Sequence, residues 1–185
     1  ICFLHAPLFH PALKAVGPIR RNIGLRTFFN MLGPIVNPAQ PAYQLIGVYN
    51  LEMARMYNYA LQTLGKEFTL IHSLDGYDEI SLTTDTKIIT NKGEFIMPPF
   101  QLGKRKVFAE ELHGGDTVES AAALFKNIIE GKGTWSQNAV VLANAAMALQ
   151  VTGQYENYEA AFQAAVLSLE SGAANNSLKQ LISLQ

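Results

Sequence analysis

YQLIGVYNLEMARMYNYALQTLGKEFTLIHSLDGYDE, residues 43–79, is the stretch that sets the fold class. Tyr43 to Tyr49 is a short apolar run, the pattern of a buried strand. Leu51 to Leu64 has helical periodicity and stops at Gly65. Phe68 to Ser73 is a second short apolar run. Strand, helix and strand in immediate succession mark a parallel α/β unit, with a right-handed crossover by the general rule. The expectation is an α/β domain whose central sheet is largely parallel and flanked by helices.

Downstream, Lys87 to Thr90 and Glu94 to Met97 flank Asn91-Lys92-Gly93 and read as a hairpin that Pro98 and Pro99 stop. The remainder reads as helix. Thr117 to Glu130 follows Asp116, a suitable N-cap, and ends at Gly131. Ser136 to Leu149 is Ala-rich and apolar on nearly every face, which predicts burial. Tyr158 to Glu170 is amphipathic and stops at Gly172, and Ser177 to Leu184 forms a last helix. Upstream, residues 11–24 read as a helix with Pro11 in its first turn and Pro18 bending it. A second short helix covers Arg26 to Leu32, ended by Gly33-Pro34. The stiff segment Asn37-Pro38-Ala39-Gln40-Pro41-Ala42 divides the chain. Residues 1–40 are expected to hold the end of a strand and the helices of a small lobe, and residues 41–185 the α/β lobe.

Composition bounds the function. The chain has 185 residues, 49% of them hydrophobic and 16% charged, with a net charge of −1. It has apolar material for a sizeable core, and nothing global in it attracts nucleic acid or an acidic membrane surface. No apolar run approaches the roughly 20 residues of a membrane span. A single cysteine, Cys2, allows no internal disulfide and fits a reducing, cytoplasmic setting. The opening Ile1-Cys2-Phe3-Leu4 is apolar and strand-like, which suggests that a segment precedes it.

Three groups of residues can carry chemistry. Asp75, Asp78 and Glu79 follow directly on a strand, where open α/β sheets bind their ligands. Neighbouring carboxylates repel unless a hard cation such as Mg²⁺ or hydrogen-bond donors compensate; an acidic turn with Asp78 capping a helix accounts for them too. No Asp or Glu precedes Glu52, whereas Lys14, Arg20, Arg21 and Arg26 do. Arg20 can grip a carboxylate in bidentate fashion or lie along the surface as a snorkelling side chain. The stiff run Gly33-Pro34-Ile35-Val36-Asn37-Pro38-Ala39 can wall a site or simply connect two lobes. His5, His10, His72 and His113 show no metal-ligand spacing, and there is no nucleophile elbow, Walker loop or dinucleotide fingerprint.

Taken in order, these pieces resemble one family. Ala6-Pro7, Phe9-His10-Pro11-Ala12, Val16-Gly17-Pro18-Ile19-Arg20-Arg21, Gly24-Leu25-Arg26-Thr27, Phe29-Asn30-Met31-Leu32-Gly33-Pro34 and Asn37-Pro38-Ala39 form a series similar to anthranilate phosphoribosyltransferases. Asp75-Gly76-Tyr77-Asp78-Glu79-Ile80-Ser81 resembles that family's magnesium segment. The likeness is strong to residue 81 and generic beyond it. Ser73, where glycine is usual, and Ile35-Val36, where Leu-Thr is commoner, depart from the pattern.

The resemblance implies transfer of a phosphoribosyl group from phosphoribosyl pyrophosphate to the amine of anthranilate, a step of tryptophan biosynthesis. Catalysis would proceed by positioning, with no catalytic side chain. It assigns Arg20, His10 and Pro7 to anthranilate, Asp78 and Glu79 to Mg²⁺, and Asp75 to a place beside them. It also implies a cytoplasmic homodimer with no nucleic-acid or membrane partner. The family's glycine-rich pyrophosphate loop and Lys-His-Gly-Asn-Arg segment normally lie upstream of Phe3. These residues are therefore expected to be the C-terminal portion of the fold, with a remnant of its small helical lobe, and to be inactive alone. A pyrimidine-nucleoside phosphorylase relative and a non-catalytic paralogue that binds an aromatic acid or nucleotide remain as alternatives.

Overall fold

The computed structural model describes residues 2, 4, 6–23 and 29–184, and for residues 6, 7, 13, 20, 21, 23, 29 and 30 the backbone alone. The chain divides into two compact units, Ile1–Ala42 and Tyr43–Gln185.

In the first unit, α1 (Ala6–Phe9), α2 (Pro11–Ile23) and α3 (Phe29–Leu32) are helical. Pro11 opens α2 and Pro18 sits inside it. The strand-like opening, through Ile1 and Phe3, and the start of the second short helix, through Arg26, lie outside the described residues. Past α3 the chain tightens, with the amides of Ile35 and Val36 both donating to the Leu32 carbonyl at 2.9 Å. Asn37 then organises the proline-rich segment. Its side chain accepts from the Ala39 amide at 3.0 Å, and its carbonyl accepts from the amide of Gln40, a residue at φ 44°.

In the second unit, the described residues form one sheet of four strands: β1 (Tyr43–Gly47), β2 (Glu67–Ser73), β3 (Thr86–Thr90) and β4 (Gly93–Met97), in the order β1-β2-β3-β4. The strand–helix–strand reading holds. β1 pairs in parallel with β2 through the crossover helix α4 (Leu51–Thr63). Asn50 starts α4 by accepting from the Met53 amide at 2.8 Å, and Gly65, at φ 63°, ends it. The expectation of a largely parallel sheet needs correction. β2–β3 and β3–β4 are both antiparallel: residues 74–85 between β2 and β3 hold no crossover helix, and the tight turn after Thr90 joins β3 directly to β4. The hairpin is present, and Asn91 in its turn ties it back to β2. That side chain accepts from the Phe68 amide at 2.9 Å and donates to the Lys66 carbonyl at 2.7 Å.

Six of the seven β2 residues are buried, as expected of a strand covered on both faces. Alternation along β2 sends Ile71 into a cluster with Ile88, Ile80, Leu82, Leu102, Val107 and the Ala139, Ala143 and Met147 face of helix α7 (Trp135–Val151). Helix α4 packs on β2 and β3. The remaining elements are α5 (Pro99–Gly103), a 3-10 turn at Ala109–Leu112, α6 (Val118–Ile129), α8 (Tyr158–Glu170) and α9 (Ala173–Ser183). α6 is capped by Thr117 rather than Asp116. The Thr117 hydroxyl accepts from the Ser120 amide at 3.1 Å, and the Ser120 hydroxyl accepts from the Thr117 amide at 3.1 Å. α7 is less buried than its composition predicts, with Val141 43% exposed. The reason is an apolar groove of about 440 Å³ between α6, α7, α8 and α9, lined by Phe125, Ile129, Val141, Ala145, Leu149 and Leu169 among others.

Candidate functional site

The acidic segment leaves the C-terminal end of β2, beside the C-terminal end of β1. Ser73, the last residue of β2, is fully buried and organises the turn. Its amide donates to the Tyr77 carbonyl at 3.0 Å, and its carbonyl accepts from the Gly76 amide at 2.9 Å. Its hydroxyl donates to the Glu79 carbonyl at 2.7 Å and accepts from the Ser81 amide at 3.1 Å. The side chain at the position of the family departure therefore serves to close this loop. His72 is buried, and its Nδ1 lies 2.8 Å from the Val48 carbonyl. A carbonyl only accepts, so Nδ1 carries the proton and the ring is a strut between the two strands.

Gly47 ends β1 at a close approach. A Cβ built there would stand 1.7 Å from the carbonyl oxygen of Asp78, so only glycine lets the acidic segment lie against the strand. From the other side comes Asn144 of α7. Its Oδ1 accepts from the Ile80 amide at 3.0 Å, and its Nδ2 donates to the Ile80 carbonyl at 2.9 Å and to the Val140 carbonyl of its own helix at 2.9 Å. Beyond Ile80, the hydroxyls of Ser81 and Thr83 lie 2.7 Å apart, and Thr83 donates to Asp75 Oδ2. Leu82, between them, is fully buried at φ 60°. That region is costly for a leucine, of order 1–2 kcal/mol, and is sustained by packing against Gly103, whose absent Cβ would fall 2.2 Å from Leu82 Cδ1.

Within this frame Asp78 and Glu79 are exposed. Partial burial first, and then the charge of Asp78 and a hydrogen bond shared with it, push the Glu79 carboxyl above the usual carboxylate range. The mutual repulsion that raises Glu79 is of the kind a bound cation relieves. Two exposed oxygen donors suit Mg²⁺, which typically takes one or two carboxylates, keeps several waters and completes its shell with phosphate oxygens. They do not make a closed protein cage. Among the described residues no group of three or more His, Cys, Asp or Glu side chains is arranged to hold a metal, and Asp75 is engaged by Thr83 instead.

The residues expected to meet anthranilate lie in the first unit. Pro7 is in α1 and Arg20 in α2, but both side chains fall outside the described residues, as do those of Arg21 and Arg26. His10 is half-buried and lies in sequence between α1 and α2, and its carbonyl accepts from the Lys14 backbone amide at 3.3 Å.

Sequence reasoning passed over Asn144 and Gly47. Each had a signal available: a lone carboxamide in an Ala-rich apolar helix, and a glycine inside a strand.

An α/β sheet with an exposed carboxylate pair just past the end of a strand in parallel pairing has those groups at the place where open α/β domains bind their ligands. Residues 1–175 match the glycosyl transferase family, a/b domain, and the chain belongs to that family. It is 54% identical over 181 residues to an anthranilate phosphoribosyltransferase of Flavobacterium johnsoniae, covering 98% of this chain and 54% of that protein. It is 52% identical to the enzyme of the same name from Christiangramia forsetii, with the same coverage. The chain thus spans about half the length of the curated relatives it matches, in their C-terminal portion. Among solved structures it is similar to anthranilate phosphoribosyltransferase from Thermus thermophilus, with a TM-score of 0.87 and 31% identity over 98% of this chain and 54% of that one. It is also similar to the Saccharomyces cerevisiae enzyme in complex with PRPP and Mg, with a TM-score of 0.88 and 27% identity over 98% of this chain and 52% of that one.

Proposed function

We propose that the protein to which these residues belong transfers the phosphoribosyl group of phosphoribosyl pyrophosphate to anthranilate, and that this stretch supplies its Mg²⁺ carboxylates and its anthranilate contacts. The observation that carries the reading is the exposed Asp78–Glu79 pair, held by Ser73, Gly47 and Asn144 in a chain about half identical to anthranilate phosphoribosyltransferases. Structures similar to this chain support it, being complexes with PRPP and Mg and with 4-fluoroanthranilate.

Asp78 and Glu79 would bind Mg²⁺. When bound, the ion supplies charge neutralisation of the departing pyrophosphate. Asp75 adds negative charge beside the pair while Thr83 holds its carboxylate. Arg20 would pair with the anthranilate carboxylate through two parallel N–H donors, with Pro7 and His10 walling the ring. No side chain here is asked to form a covalent bond; the rate comes from holding the amine in line with the ribose C1. The same reading makes the full-length protein a cytoplasmic homodimer without nucleic-acid or membrane partners. No described helix is long and apolar enough to cross a membrane.

The test is a chimera in which this chain replaces the matched stretch of the Flavobacterium johnsoniae relative. Loss of anthranilate fluorescence that requires both PRPP and Mg²⁺ is expected, with none from the 185 residues alone. Arg20→Ala should raise KM for anthranilate far more than KM for PRPP. A folded chimera that ignores anthranilate but cleaves a pyrimidine nucleoside with phosphate would overturn the assignment.

A further inference from the structure

We infer that Asn144 is a positioning residue for the carboxylate pair, an inference that rests on the metal reading above and deepens it. The peptide unit joining Glu79 to Ile80 is gripped at both ends. Its carbonyl accepts from the Ser73 hydroxyl at 2.7 Å, and its N–H donates to Asn144 Oδ1 at 3.0 Å. That plane and the preceding one, whose Asp78 carbonyl lies against Gly47, together set the direction of the Glu79 Cα–Cβ bond, since neither alone stops rotation about the Cα–C bond. The two acidic side chains are exposed while the backbone that carries them is pinned from three elements.

Asn144 differs from the other two holds in its reach. Gly47 and Ser73 belong to the sheet the loop grows from, whereas Asn144 comes from α7, 64 positions further along the chain. Its Nδ2 bridges the Ile80 carbonyl and the Val140 carbonyl, so the carboxamide is anchored to its own helix while both polar edges meet Ile80. Ile80 is fully buried in the cluster with Ala143 and Met147 and Asn144 is half-buried, so the clamp is partly shielded from competing water. A carboxamide can accept from an N–H and donate to a C=O of the same residue at once through two separate atoms. The geometry thus transmits the rigidity of α7 to a pair of flexible, mutually repelling carboxylates, as groups behind metal ligands do in general.

The experiment is titration of the full-length chimera described above with Mn²⁺, followed by water-proton relaxation, with this chain's stretch as wild type and as Asn144→Ala, Asn144→Gln and Leu169→Ala. Leu169 is buried in α8 and lines the groove, so its truncation lowers stability without touching Ile80. Asn144→Ala is expected to weaken Mn²⁺ binding by about tenfold or more. Leu169→Ala should leave affinity unchanged at a comparable loss of Tm. Asn144→Gln, which keeps the amide but displaces it by one methylene, should fall between and decides the matter if the alanine variant does not fold. Wild-type affinity in the Asn144 variants, or equal weakening in Leu169→Ala, overturns the positioning role and leaves the metal reading standing. A wild-type chimera that binds no Mn²⁺ even with PRPP present, or binds it undiminished in Asp78→Asn with Glu79→Gln, overturns both.

Discussion

The sheet end around Asp78 and the helical layer of α6 to α9 belong to one unit, yet they are built on opposite principles. At the sheet end, glycines are set by close approach, buried hydroxyls and a carboxamide are hydrogen-bonded, and charge is displayed on a fixed backbone. In the helical layer, capping boxes at Thr117 and Thr134 start the helices cleanly, but side-chain packing between them is loose enough to leave a groove of about 440 Å³. α6 has no buried residue at all. Directional hydrogen bonds and tight contacts concentrate around the carboxylate pair proposed to bind the ion. Where only apolar cover is needed, helices with good caps suffice.

That contrast can be broken most directly at Gly47. Gly47→Ala forces a Cβ against a backbone oxygen that cannot rotate away, so unfolding by urea should report a loss of about 3 kcal/mol, and Mn²⁺ binding should fall with it. Gly131 in the helical layer provides the counterpart. It sits at φ 74° with nothing within 4 Å of a new Cβ, so Gly131→Ala should cost only the left-handed strain, about 1 kcal/mol. Equal losses at the two positions would erase the distinction.

Gly103→Ala comes next. It meets the end of the Leu82 side chain rather than backbone, which can yield in part, so about 2 kcal/mol is expected. Because Leu82 is at φ 60°, Leu82→Gly should relieve strain while opening a cavity, and restore packing room to the Gly103→Ala variant. A double-mutant cycle showing strict additivity would count against that coupling.

The charged end also predicts a pH effect. The Glu79 carboxyl is raised above its ordinary value of 4.5, so the folded state binds more protons than the unfolded state in the window between the two. Ionising Glu79 therefore costs stability as pH rises through that window, and the cost is absent below it. On the proposed reading Mg²⁺ would bind the ionised pair, so its increment in Tm should grow as pH rises across the same window and vanish in Glu79→Gln. A Tm increment that is flat with pH in the wild type would refute this. Smallest of all should be the effect of filling the groove. Ala145→Leu adds volume to a place that has space, and its stability change should stay within about 0.5 kcal/mol, where the same enlargement at Ala143, fully buried against Ile80, should cost several times more.

Much of this was legible in the sequence where the controlling interactions are short-range. α4 with its Gly65 stop, the β3–β4 hairpin and α8 were read to within a residue or two, because caps, glycine stops and period-2 or helical patterns act over a few positions. The antiparallel direction of β3–β4 is contained in the hairpin reading, but that of β3 against β2 was not legible, since an apolar run reads the same whether its neighbour is parallel or antiparallel. α5 escaped because Pro98 and Pro99 looked like a stop, whereas Pro99 opens a short helix. Asp116 was preferred as a cap over Thr117 on residue preference alone, and the reciprocal bonding of Thr117 with Ser120 decided otherwise. At the site, the acidic segment stood out by charge, but the groups that hold it did not.

By itself the sequence determined the order of helices and strands in the α/β unit, the acidic segment after β2, and a resemblance that the family match upholds. Those follow from local sterics, hydrophobic period and residue identity. Only the tertiary structure decided that Gly47 abuts Asp78, that Asn144 closes on Ile80 from 64 positions away, and that Asp75 is held by Thr83. Such contacts depend on how separate elements pack, and no periodicity along one chain encodes which distant side chain will meet which backbone group.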